Sequence, residues 1–230
     1  MPKWYMTKSP LIGTGFYSHP TDERSRIEFF CHWMERFEFE RKIVVVNNSH
    51  VRRLPIAEQH NIHVIEIDNN LGHIGDHLGK FRPHLLGWSM SWIIPATIAY
   101  SEQRDFMYVE QDCLVFGEWE KAILDEAEAK GRMAMFGKGV ASIAPCEQSL
   151  FWIHRDFITE FIYRYLSFPD GDGKMLPEAK FARMADADKR ISTFELGVGR
   201  DRPLPYNASA WYAQHLTEEE MAELKERKLI

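Results

Sequence analysis

The chain has 230 residues, a formal net charge of -6 at pH 7 and three cysteines, Cys31, Cys113 and Cys146. That length supports one sizeable core, so a single domain over residues 1–230 is the expectation. The acidic balance argues against a general nucleic-acid binder, and a small odd number of cysteines in apolar surroundings argues against a disulfide framework and for reduced thiols in the cytoplasm.

The opening MPKWYMTKSP has no signal-peptide apolar core. Leu11 to Tyr17, LIGTGFY, reads as the first strand, and its glycines would let a ligand approach the backbone. Thr21 reads as a helix N-cap, and Ile27, Phe30, Cys31, Met34 and Phe37 recur at helical spacing. Lys42 to Val46 and Ile62 to Ile67 read as strands, stopped by Asn47-Asn48-Ser49 and Asp68-Asn69-Asn70. Polar strand ends of this kind are either turn residues or the rim of a binding crevice. In Leu71 to Pro83, His73 and His77 would share a face only on a helix, which Gly72, Gly75 and Gly79 oppose. A loop over a ligand fits that segment better than a zinc site. Leu85 to Tyr100 reads as a long apolar helix bent at Pro95; with Ser89, Ser91 and Thr97 in it, it does not read as a membrane span.

The next stretch, Asp105 to Gly117, reads DFMYVEQDCLVFG. Phe106 to Val109 are apolar enough for a strand covered on both faces. Glu110 and Asp112 follow, and an unpaired carboxylate in the core would cost on the order of several kcal/mol. They must therefore lie where the strand leaves the core, be paired, or hold a cation. In an extended chain they would converge on one point, with Gln111 facing away. Two hard oxygen ligands at a strand's carboxyl end suit Mg²⁺ or Mn²⁺ carrying a phosphate-bearing substrate. The bland alternative is pairing with Arg or Lys at a sheet edge.

Further on, Trp119 to Lys130 and Arg155 to Leu166 read as amphipathic helices. Met133 to Phe136 is an apolar run, and Leu150 to Ile153 a strand preceded by Glu147-Gln148-Ser149. Pro177-Glu178 opens another helix. Phe194 to Pro205 reads as a basic, glycine-rich loop carrying Arg200 and Arg202. Thr217 and Glu220 form a capping-box pattern before a last helix, Glu218 to Arg227. Gly197-Val198-Gly199 is no dinucleotide fingerprint, because Pro203 and Pro205 replace the helix it needs. A P-loop, G-x-S-x-G and H-E-x-x-H are all absent from the sequence.

An acidic pair after a buried strand, polar strand ends and late loop arginines are what diphosphate chemistry needs. Together they resemble the GT-A type of nucleotide-sugar glycosyltransferase, whose D-x-D or related triplet ends a sheet strand and binds Mn²⁺ or Mg²⁺ with the donor diphosphate. The matching residues are Glu110-Gln111-Asp112, and WSMSWIIPATIAYSEQRDFMYVEQD resembles the family's approach to that triplet. The resemblance implies a Rossmann-like α/β domain, with a mostly parallel central sheet and helices on both faces. It implies metal ligation by Asp112 and Glu110, with His215 as a third ligand. It places the donor on Thr14, Gly15, Phe16, Tyr17, Asn47, Asp68, Glu110, Gln111, Arg200 and Arg202. Glu178 resembles the position from which inverting members draw a base, and Glu147 is the alternative. It implies a carbohydrate, lipid-linked or other hydroxyl as the acceptor. Each assignment has a plainer rival: Glu178 as a charge near a helix N-terminus, His215 as a structural histidine, the loop arginines as solvated charges. A sugar-nucleotide nucleotidyltransferase and a non-catalytic nucleotide-sugar-binding protein remain open as other functions.

Overall fold

The structure is a computed structural model and describes residues 8–16, 29, 32–34, 36, 43–47, 62–67, 86–139, 146–168, 175 and 177–230. The early apolar runs form β1 (Leu11–Phe16), β2 (Ile43–Asn47) and β3 (Ile62–Glu66). They pair in parallel, with β2 between the other two. The run before the acidic triplet forms β4 (Phe106–Val109), parallel to β1 on its other side. The strand order therefore reverses at β1, and the carboxyl ends of β1 and β4 border the crevice that an open α/β sheet leaves there.

Between β3 and β4 the chain forms α1 (Leu86–Ser101), with Pro95 inside it. This helix packs on β1 so closely that side chains on two strand positions are excluded. A Cβ at Gly13 would lie 2.6 Å from Pro95 Cγ, and one at Gly15 would lie 2.1 Å from Ser91 Cβ. The sequence reading expected those glycines to let a ligand approach the backbone; the room their side chains would take is filled by the helix.

After β4 the apolar run does not continue in the same sheet. It turns at Glu110-Gln111-Asp112 and enters β5 (Cys113–Gly117), which belongs to a second, three-stranded sheet. Then follow α2 (Trp119–Lys130), β6 (Ala134–Lys138) and β7 (Cys146–Ile153). Strand β7 is antiparallel to both β4 and β6. A 3-10 turn, Arg155–Phe157, precedes α3 (Ile158–Ser167), where sequence spacing suggested one helix. Next come α4 (Pro177–Ala187), β8 (Ile191–Thr193), β9 (Val198–Gly199), β10 (Ala210–Gln214) and α5 (Glu218–Glu226). The main sheet runs β3-β2-β1-β4-β7-β6-β8 and is mostly parallel; the small one runs β5-β10-β9.

The central strands send alternate residues to two cores, as the pleat dictates. Met107, Val109, Leu150 and Trp152 join Trp33, Met34, the small sheet, α2 and Leu224 of α5. Phe106, Tyr108, Phe151 and Ile153 join α1, α3 and α4 in an aromatic core. Phe181 of α4 is at its centre, fully buried, with its ring 4.2 Å from Phe136, 5.5 Å from Tyr165 and 5.8 Å from Trp88, centroid to centroid. The expected capping box holds: Glu220 N–H donates to Thr217 Oγ1 at 3.2 Å, and Thr217 N–H to Glu220 Oε2 at 2.9 Å. Among the described residues no helix is long and apolar enough to cross a membrane.

Candidate active site

Strand β4 ends because the next residues carry charge that its buried ladder cannot accept. The Cys113 N–H donates to the Glu110 carbonyl at 2.9 Å, closing a tight turn over the acidic triplet. The two carboxylates still converge, but on a donor that the sequence reading did not name. Gln214 Nε2 donates to Glu110 Oε2 at 2.7 Å and to Asp112 Oδ1 at 3.3 Å. Gln214 reaches them because β10 pairs antiparallel with β5, which sets it opposite Cys113.

The two acids differ in surroundings. The other oxygen of Glu110 accepts from Trp88 Nε1 at 3.1 Å and Gln148 Nε2 at 3.5 Å, so both oxygens face N–H donors. Burial pushes the Glu110 carboxyl well up, and the Asp112 charge adds to it; Trp88 opposes the shift. Asp112 keeps a quarter-exposed side chain, with Oδ2 3.4 Å from His215 Nδ1. His215 is the residue after β10 and has φ 53°, the left-handed bend that ends the strand and turns the chain toward α5. Asp112, His215 and Gln111 line a cavity of about 430 Å³ whose other walls are Phe29, Leu114, Leu216 and Met221. Gln111 therefore shares the Asp112 side rather than facing away, and its Oε1 is buried without a hydrogen-bond partner.

Glu178 is half-buried in the first turn of α4 and close enough for its charge to raise the Glu110 carboxyl. Glu147 lies inside β7 rather than before it. It is 7% exposed and accepts from Ser149 Oγ at 3.4 Å and Tyr212 Oη at 3.5 Å. A Cβ on Gly199 would lie 2.4 Å from its Oε2, so the late glycine seals it in. Burial raises the Glu147 carboxyl, and Arg200, through its charge and its backbone N–H, opposes that.

The late loop arginines differ as well. Arg200 is exposed and donates from Nε to Gln214 Oε1 at 3.2 Å. Arg202 is committed to Glu220 at the start of α5 and to the Gln214 carbonyl at 3.2 Å, which makes it a clamp on the end of β10. Thr14 is fully buried within β1, its Oγ1 without a partner. Phe16 and Asn47 are placed as the last residues of β1 and β2; Tyr17 and Asp68 lie outside the described residues. Sequence reasoning missed Trp88, Gln148 and above all Gln214 as partners of the acids. A late amide has no motif, and only the pairing of β10 with β5 could have found it.

Asp112 and His215 are the described side chains that could hold a divalent cation, an oxygen and a nitrogen side by side on a cavity wall. Glu110 fits less well, since N–H donors face both of its oxygens. Among the described residues no group of three His, Cys, Asp or Glu side chains forms a cage. The remaining positions would go to phosphate oxygens and water, the habit of Mg²⁺ at phosphate sites.

A sheet reversing at β1, an acidic turn after β4 and a small sheet packed beside it define the GT-A-type glycosyltransferase fold. Solved structures that superpose on the chain include the glycosyltransferase GlyE of Streptococcus pneumoniae TIGR4, at a TM-score of 0.50 and 13% identity over 82% of this chain and 45% of that one. TarS of S. aureus superposes at a TM-score of 0.51 and 14% identity, over 94% of this chain and 38% of that one. The chain thus spans less than half the length of either. A glycosyltransferase involved in the glycosylation of the major capsid of PBCV-1 aligns over 96% of this chain and 100% of its own, at 14% identity and a TM-score of 0.48. No protein-family model matches the sequence, and no curated protein matches it.

Proposed function

We propose that the protein transfers a sugar from a nucleotide-sugar donor to an acceptor hydroxyl, with a divalent cation held by Asp112 and His215. The observation that carries this reading is the meeting of those two side chains, 3.4 Å apart beside a cavity, at the carboxyl end of β4 in this fold. A bound cation supplies charge neutralisation for the leaving nucleoside diphosphate. Arg200, exposed on the neighbouring loop, adds a second positive charge. Glu178 takes the proton of the acceptor hydroxyl as its oxygen bonds to the anomeric carbon and the carbon–phosphate-oxygen bond breaks. Glu147, closed in by Tyr212, Ser149 and Gly199, holds the loop rather than the acceptor. We place the reaction in the cytoplasm; Cys113 and Cys146 are buried free thiols, in keeping with a reducing compartment.

The test is thermal shift against UDP-, GDP-, CMP- and dTDP-sugars with and without Mn²⁺, followed by assay of donor hydrolysis. One nucleotide class should stabilise the protein only with Mn²⁺. Asp112→Asn should abolish that dependence and slow turnover by about 10²–10³. A folded Asp112→Asn protein with unchanged Mn²⁺-dependent turnover would sink the reading. Mn²⁺-dependent binding with no hydrolysis or transfer would instead favour a non-catalytic binding protein.

A further inference from the structure

We infer that Gln214 is the positioning residue of the acidic turn, holding Asp112 in the orientation that presents its second oxygen to the cavity. The inference rests on the reading in which Asp112 holds a cation. Gln214 is 2% exposed and ends β10, where pairing with β5 fixes its backbone. Its amide satisfies its neighbours in one orientation only. The nitrogen has two hydrogens and meets two carboxylate oxygens; the oxygen meets the Arg200 guanidinium at 3.2 Å. A flipped amide would set its oxygen against both carboxylates and its N–H groups against a cation.

The two acids depend on this amide unequally. Glu110 has Trp88 and Gln148 besides it. Among the described residues Asp112 has Gln214 on Oδ1 and His215 at Oδ2. With Oδ1 held, Oδ2 stays beside the histidine nitrogen. Without the amide, Asp112 loses the donor that separates it from Glu110 and is free to turn out of register with His215. Partners of metal ligands that fix ligand orientation typically carry about 10–100-fold in affinity.

The test needs no donor, acceptor or turnover. Free Mn²⁺ is counted by electron paramagnetic resonance in titrations of the wild-type protein, Asp112→Asn, Gln214→Met and Gln214→Asn. Methionine keeps the volume and removes the amide, so a packing role alone would leave Mn²⁺ affinity unchanged. The expected result is binding by the wild type, loss in Asp112→Asn, and about 10–100-fold weaker binding in Gln214→Met. Should Gln214→Met fail to fold, Gln214→Asn carries the same expectation, because its shortened amide no longer spans both carboxylates. Wild-type affinity in a folded Gln214 variant overturns the inference and leaves the Asp112 site standing. Absence of wild-type binding, or its survival in Asp112→Asn, overturns the cation reading and the inference with it.

Discussion

Glu110 and Asp112 stand two residues apart and meet different fates, and the turn between them is the cause. It buries the first among Trp88, Gln148 and Gln214 and leaves the second at a cavity wall. The sequence required each to lie where the strand leaves the core, to be paired or to hold a cation, since an unpaired charge is costly in a covered strand. It did not show which one stays at a cavity wall, because that depends on a glutamine more than a hundred positions later. The same logic separates the two candidate bases. Glu178 is half-buried near the acidic turn, whereas Glu147 is enclosed. Glu178→Gln should leave donor affinity within about threefold and reduce transfer by roughly 10²–10⁴. Glu147→Gln keeps the size and should act mainly through the late loop, with a smaller loss. Steady-state transfer and donor titration on both variants check this; collapse in Glu147→Gln with survival in Glu178→Gln would move the base to Glu147.

At the scale of elements, what carries Glu178 is α4, begun by Pro177 and anchored one turn on by Phe181 in the aromatic core. Next to it, Arg190 ties α3 to the start of β8. Its guanidinium donates to Glu160 at 2.6 and 3.0 Å and to Asp188 at 2.7 Å, and stacks over Phe157. Hydrogen bonds from Arg190 hold the Glu160 carboxyl below its usual 4.5 and the Asp188 carboxyl below its usual 3.8. Depressed acids stabilise the fold above their unfolded pKa values, and that contribution is lost as pH falls through the folded ones. Arg190→Met should therefore lower the melting temperature by a few degrees at neutral pH, and the gap from wild type should narrow as pH falls below the usual 3.8 of Asp188. Melting curves across that range decide it; a constant gap would show the ion pairs contribute nothing. The helices were legible from 3.6-residue spacing and caps, as at Thr217. Strand β10 and the first half of β7 were not, because Gln214 and Glu147-Gln148-Ser149 are buried polar residues, and polar residues read as loop.

For the whole molecule, the sheet around β1 could be read from apolar runs with polar stops. The small sheet could not, since β5 looks like a continuation of β4 until the turn is seen. Among the described residues, β5 pairs in the small sheet with β10 alone. A chain stopped before Ala210 should expose that edge, self-associate on size exclusion and lose any response to Mn²⁺. A monomeric, Mn²⁺-responsive truncation would show that the small sheet is dispensable.

The meeting of Gln214 with Asp112 joins residues 102 apart in sequence. Closing a flexible loop of that length costs on the order of 4 kcal/mol in chain entropy, beyond a constant. Any ion or donor that binds Asp112 and His215 together grips both ends of that loop at once, and so works as a reversible cross-link. Occupancy stabilises the folded form by mass action. An occupant would thereby fasten the C-terminal strand and helix, and a chain whose last part has yet to dock would lack the Asp112–His215 pair.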